Sequence, residues 1–133
     1  MTYLIDTQIL IWYQLIDQKL KSPVYAILTD ESNKILVSQV SLYEIAIKQK
    51  IGKMPEIQIS ISQLVELIQK DGFEILGIKN QHINQYDAIP LFSDHKDPFD
   101  RLILATALSE QIPIISADEN FKLYREIIDL IEN

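Results

Sequence analysis

The sequence predicts an α/β fold: a mainly parallel central sheet covered by helices on both faces. Three observations carry that reading. Short apolar runs alternate along the chain with stretches of helical periodicity. The runs are apolar at almost every position, as strands buried on both faces must be. Ser-Pro, Asp-Pro and Gly stand where the intervening helices start and stop. At 133 residues the chain is expected to form one domain, 1–133, long enough to bury roughly two-thirds of its unfolded surface.

The elements follow in order. "YLID" (3–6) reads as a short buried strand and "TQILIWYQLI" (7–16) as the helix after it. Ser22-Pro23 opens a helix near 23–30, because the fixed φ of proline suits the first helical position. "KILVS" (34–38) is the second strand and leads into the helix "SLYEIAIKQKIG" (41–52). There Leu42, Ile45, Ala46 and Ile47 recur at helical offsets before Gly52 ends the run. "MPEIQIS" is a connector, "ISQLVELIQKDG" (61–72) a helix stopped by Gly72, "FEILGI" a strand, and 79–86 a short helix. A helix from 98 to about 110 precedes the compact strand "IPIIS" (112–116), and "EIIDLI" (126–131) is expected as a last, edge strand.

Composition narrows the function. With 47% hydrophobic and 23% charged residues the chain reads as soluble and globular, and 3 Gly and 5 Pro leave little room for linkers. The absence of cysteine excludes disulfides, zinc–thiolate sites and thiol catalysis, and fits a reducing cytoplasm, the expected location. "MTYLIDTQILIWY" lacks a basic leader and already carries Asp6, so it reads as a poor signal peptide. No stretch approaches the roughly 18 uninterrupted apolar residues of a membrane helix. Nineteen acids against 12 bases give a net charge of −7. Alone, that argues against a polyanionic partner, unless the excess sits in a site that binds cations.

Four acids fit such a site. In open α/β sheets, ligands bind beyond the carboxyl ends of the strands. Asp6 ends the first strand, Asp118 follows "IPIIS" in "SADENF", and Glu44 lies in the early turns after "KILVS". Asp100 begins the helix of "HKDPFDRLILATAL" (95–108), whose amino end can approach the same edge. An ionised carboxylate at a buried strand end is costly unless something pairs with it. Each acid also has a second reading. Asp97 is a good N-cap ahead of Pro98, with Asp100 completing a capping-box-like pattern, and Ser41-x-x-Glu44 matches a capping box. Asp6 could begin a helix, and Asp118 could be a turn acid. The two readings coexist if Asp97 caps while Asp100 points back past the helix start.

"YLIDTQILIWY", "SLYEIAIK", "HKDPFDRLILATAL" and "IISADENF", in this order and at these spacings, resemble the PIN-domain ribonucleases, and among them the VapC-type toxins of bacterial toxin–antitoxin pairs. The likeness runs from about residue 3 to residue 123, with "DPFDR" its most specific piece. It implies a PIN-like three-layer fold with strand order 3-2-1-4-5 and an acid-lined pocket. It implies Asp6 and Asp100 as main metal ligands, with Glu44 and Asp118 completing the set directly or through water. Oxygen-only donors favour Mg²⁺ or Mn²⁺. The implied activity is endonucleolytic cleavage of RNA to 5′-phosphate and 3′-hydroxyl products; the implied partners are an antitoxin protein that covers the site and a second copy in a homodimer.

Other positions are expected in supporting roles. Thr7 holds a site water or caps a helix; Arg101 orients or neutralises a neighbouring carboxylate; His95 is a solvent-facing loop residue. Gln8 stands where the resemblance leads one to expect histidine. Lys48, Lys50, Lys53, Lys96 and Arg101 offer a local path for an RNA backbone, with plain solvation of a helix face the alternative for Lys50 and Lys53. Trp12 and Leu15 either line an apolar groove for the antitoxin or pack in the core. His82 and His95 are too few for a histidine acid–base mechanism. Two other functions stay open: a catalytically silent binding module on the same fold, and a Mg²⁺-dependent phosphoryl-transfer domain. The single acid of Asp6-Thr7-Gln8 speaks against the second.

Overall fold

The five strands of the sheet are short, and their register decides where the chemistry falls. A computed structural model describes residues 1–133, with strands β1 (Thr2–Ile5), β2 (Lys34–Ser38), β3 (Glu74–Leu76), β4 (Ile114–Ser116) and β5 (Leu130–Glu132). They lie in the order β3-β2-β1-β4-β5, and every neighbouring pair is parallel. Ile5 of the central strand is level with Val37 of β2 and Ile115 of β4. One residue further on, Asp6, Ser38 and Ser116 therefore emerge together at the carboxyl edge.

Alternation along the strands builds two cores. Tyr3, Ile5, Ile35, Val37 and Ile115 face one side, whereas Leu4, Leu36 and Ile114 face the other. Both sets are apolar because both faces are covered. The first is packed under α1 (Thr7–Leu15), α2 (Ser22–Thr29), the inner side of α3 (Gln39–Lys50) and α4 (Ile61–Lys70). The second is packed under α6 (Pro98–Glu110), through Ile103, Leu104, Ala105 and Ala107, together with Phe121, Tyr124 and Ile128. A shorter helix, α5 (Asn80–Gln85), packs beside α6. No helix is long and apolar enough to cross a membrane.

The ends of α4 match their chemistry, whereas the start of α3 does not follow its motif. Ser60 and Gln63 form a reciprocal capping box at the start of α4, and Gly72 just beyond its end takes φ +84°, where a β-carbon would be strained. Helix α3 starts at Gln39, two residues earlier than expected, because the Ser38 hydroxyl accepts from the Val40 amide at 3.0 Å. The Ser41–Glu44 capping box consequently does not form; Ser41 is fully buried inside the helix. The last strand is also displaced. Residues expected as the strand 126–131 instead continue a 3₁₀ segment (Glu119–Tyr124) through a turn in which the Ile127 and Ile128 amides donate to Tyr124 O, so pairing with β4 begins only at Leu130.

Candidate functional site

Asp6 leaves β1 in extended backbone and caps α1. Its Oδ1 accepts from the Ile9 amide at 2.9 Å, and its Oδ2 accepts from the hydroxyl of Ser116. The carboxyl is 4% exposed with no cation beside it, so burial pushes its pKa up to about 7, the charges of Asp100 and Asp118 adding to the rise and the two hydrogen bonds opposing it. Ser116 also accepts from the Asp118 amide at 3.0 Å, tying the ends of β1 and β4 together. Asp118 then caps the 3₁₀ segment by accepting from Asn120 N at 2.9 Å.

Asp100 lies in the first turn of α6, but the capping is done by Asp97, which accepts from the amides of Phe99 and Asp100 at 2.8 and 3.3 Å. The Asp100 side chain is thus free to turn inward, where Oδ2 lies 2.9 Å from His95 Nε2. Burial pushes it up to about 6, with the His95 bond opposing and the charges of Asp97, Asp118 and Glu44 adding to the rise. A ring nitrogen of His95 and carboxylate oxygens of Asp100 and Asp118 lie within 4.8 Å of one another, a spacing that suits ligands of one ion. Asp6 and Glu44 stand outside this tightest group but act on it electrostatically, Asp6 with Asp100 and Asp118, Glu44 with Asp100.

Glu44 is held from two sides. The Thr7 hydroxyl lies 3.0 Å from its Oε1 and 2.9 Å from the Ser41 hydroxyl, and Lys48, one turn along α3, pairs with Oε2 at 3.0 Å. All four predicted acids therefore sit along one edge. The principal cavities, about 170 to 550 Å³, open elsewhere, and none is lined by Asp6, Glu44, Asp100 or Asp118.

Several expectations need correction. His95 is not solvent-facing but buried, wedged between Asp100 and the Tyr124 hydroxyl. Arg101 touches no carboxylate and is 3% exposed, which removes it from any backbone path. Its guanidinium donates to Tyr86 Oη and to the carbonyls of Ile89 and Pro90, fixing the loop ahead of α6. Thr7 is the first residue of α1 and serves Glu44 rather than the helix cap, which Asp6 provides. Trp12 packs against the first core, whereas Leu15 is exposed. Ser116 and Tyr124 were not anticipated, and Ser41 was expected only as a helix cap. Only Ser116 left a sequence signal: a hydroxyl closing an otherwise apolar strand two residues before an acid.

The fold is shared with several solved structures. It is similar to VapBC2 from Rickettsia felis bound to a DNA fragment from their promoter, at 16% identity and a TM-score of 0.65 over 99% of this chain and 98% of that one. VapBC-1 from nontypeable Haemophilus influenzae gives 17% and 0.64 over 99% and 98%, and a toxin-antitoxin complex from Klebsiella pneumoniae gives 20% and 0.63 over 97% and 95%. At these identities the likeness is one of fold. No curated protein matches the sequence. The PIN domain family model matches residues 3–127, nearly the whole length, and the chain belongs to the PIN domain family.

Proposed function

We propose that this PIN domain protein is a Mg²⁺- or Mn²⁺-dependent endoribonuclease, the toxin of a type II toxin–antitoxin pair. One observation carries the reading: no lysine or arginine pairs with Asp6, Asp100 or Asp118, although the first is buried and all three act on one another. Unpaired acids at close quarters repel one another, and a cation relieves that repulsion. The donor set fits a hard divalent ion, since it is carboxylate oxygen with no thiolate. Asp6 and Asp100 are the main ligands in this reading, and Glu44 and Asp118 complete the set. When bound, one or two such ions supply positive charge at the scissile phosphate and acidify the attacking water.

The protein's own groups do the rest. Ser116 fixes the relative position of Asp6 and Asp118, and Thr7 orients Glu44. Lys48 and the exposed Lys96 supply local attraction for phosphate in a chain whose net charge is −7. Two divalent ions, +4 together, bring −7 to −3. The products in this reading are a 5′-phosphate and a 3′-hydroxyl. The likeness of the fold to VapBC and toxin-antitoxin complexes supports a cognate antitoxin as partner. The chain acts in this reading as one domain, in the cytoplasm, as a homodimer.

Incubation with a panel of structured RNAs and Mn²⁺ tests the proposal. Cleavage by the wild type, abolished by EDTA and by Asp100→Asn, is the expected result. RNA binding without cleavage at any metal concentration would establish a silent binding module instead.

A further inference from the structure

The loop ahead of α6 buries a side chain that the acids alone do not explain. His95 is 4% exposed although it lies two residues before the cap of the helix. A backbone bridge between Phe92 and His95 doubles the loop back, and the ring packs against Phe121 and edge-on to Tyr124, with centroids 6.1 and 5.5 Å away. A buried imidazole needs both nitrogens satisfied. Here Nδ1 lies 2.7 Å from the Tyr124 hydroxyl and Nε2 2.9 Å from Asp100 Oδ2.

The ends of this chain fix its polarity. An ionised carboxylate only accepts, so Nε2 carries the proton and donates to Oδ2. In the neutral ring Nδ1 then presents a lone pair, and the phenol of Tyr124 donates to it. Tyr124 is itself 1% exposed and is held edge-to-face by Phe92 at 5.2 Å. One oxygen of Asp100 is thereby pinned through two rigid rings, while Oδ1 makes no hydrogen bond within the protein.

We propose that His95 and Tyr124 are positioning residues: the pair pins Asp100 Oδ2 and so aims Oδ1 at the divalent cation, with His95 not itself a ligand. The inference rests on the metal-dependent reading above. Hydrogen bonds to a ligating carboxylate set its orientation, and their removal typically costs about 10–100-fold in metal affinity. The competing role, His95 as a nitrogen ligand beside Asp100 and Asp118, is geometrically open. The two roles differ in where the proton sits, because a ligating Nε2 has to give up its hydrogen.

Calorimetric Mn²⁺ titration of the full chain, combined with ¹⁵N spectra of the imidazole in EDTA and in Mg²⁺, separates them. In His95→Gln the amide nitrogen takes the place of Nε2 as donor to Asp100, so affinity should stay within about threefold of wild type, against a loss of about 10–100-fold in His95→Ala. Tyr124→Phe, which frees the ring to change tautomer, should fall between them. The wild-type spectrum should show the Nε2–H tautomer with and without Mg²⁺. Loss of that proton on adding Mg²⁺, or equal losses in the Gln and Ala variants, would overturn the proposal, and wild-type affinity in Tyr124→Phe would remove Tyr124 from it. If His95→Ala does not fold, the Gln variant and the wild-type spectra still decide. A wild type that binds no Mn²⁺ overturns the nuclease reading together with this one, whereas metal binding unchanged in His95→Ala overturns this one alone.

Discussion

Asp6 shows how a single residue can serve structure and chemistry together. Its backbone and Oδ1 start α1, and only because that cap is made at a buried strand end does its carboxyl lose water. A pKa raised to about 7 in the fold means that the fold favours the protonated acid. Below the ordinary carboxylate range both states are protonated and nothing is lost; as pH rises through about 7 the metal-free fold pays the full penalty of the charge. Asp6→Asn, which cannot ionise, should therefore differ little from wild type near pH 4 and be the more stable protein at pH 8 in EDTA. Urea unfolding at the two pH values checks this, and a gap that stays constant would mean that the carboxyl is not held in that state. Sequence made the candidacy of Asp6 legible, since an acid ending an apolar run is conspicuous. It hid His95, because the partner that buries it, Tyr124, lies 29 residues on, in a 3₁₀ segment with no clear periodicity. Arg101 was misread for a similar reason: two of its three acceptors are backbone carbonyls, which no side-chain pattern announces.

At the scale of elements, α6 divides labour between neighbouring acids. Asp97 takes the helix amides, Pro98 supplies the first helical φ, and Asp100 is left to face the site. Asp97→Ala should cost about 1 kcal/mol of stability, the usual loss of a cap, and the variant should keep the Mn²⁺ affinity of the folded protein; denaturant midpoints and metal titration read the two effects separately. The capping and metal readings of this stretch were both legible in the sequence, and they fall on different residues: Asp97 caps, and Asp100 is left available for the proposed site. In α3 they compete instead. Ser38 caps, Ser41 is drawn into a hydrogen bond with Thr7, and Glu44 is left facing Thr7 and Lys48. A motif match could not see that Ser38, the last residue of β2, already caps the helix. Ile16 ends α1 in the left-handed region at φ 54° while 88% exposed, a place where glycine is the usual signal, yet the apolar run alone placed the end of the helix within one residue.

For the whole molecule, the order of the sheet is what gathers the site. With β1 in the centre and β2 and β4 on either side in matched register, residues 6, 38 and 116 must emerge together, and the helices that follow or precede them bring in Glu44 and Asp100. Alternating apolar runs announced a parallel sheet covered on both faces, and the two cores bear this out. The last strand was misplaced because Tyr124 and Ile128 are claimed by the second core before the chain can pair. The central claim is that this edge holds a divalent cation. Crystals of the metal-free protein soaked in Mn²⁺ and measured at the manganese absorption edge test it most directly. An anomalous peak is expected roughly 2.0–2.3 Å from carboxylate oxygens of Asp6 and Asp100, with Asp118 and Glu44 around it. A map with no peak at this edge, while manganese is seen elsewhere on the protein, would contradict it.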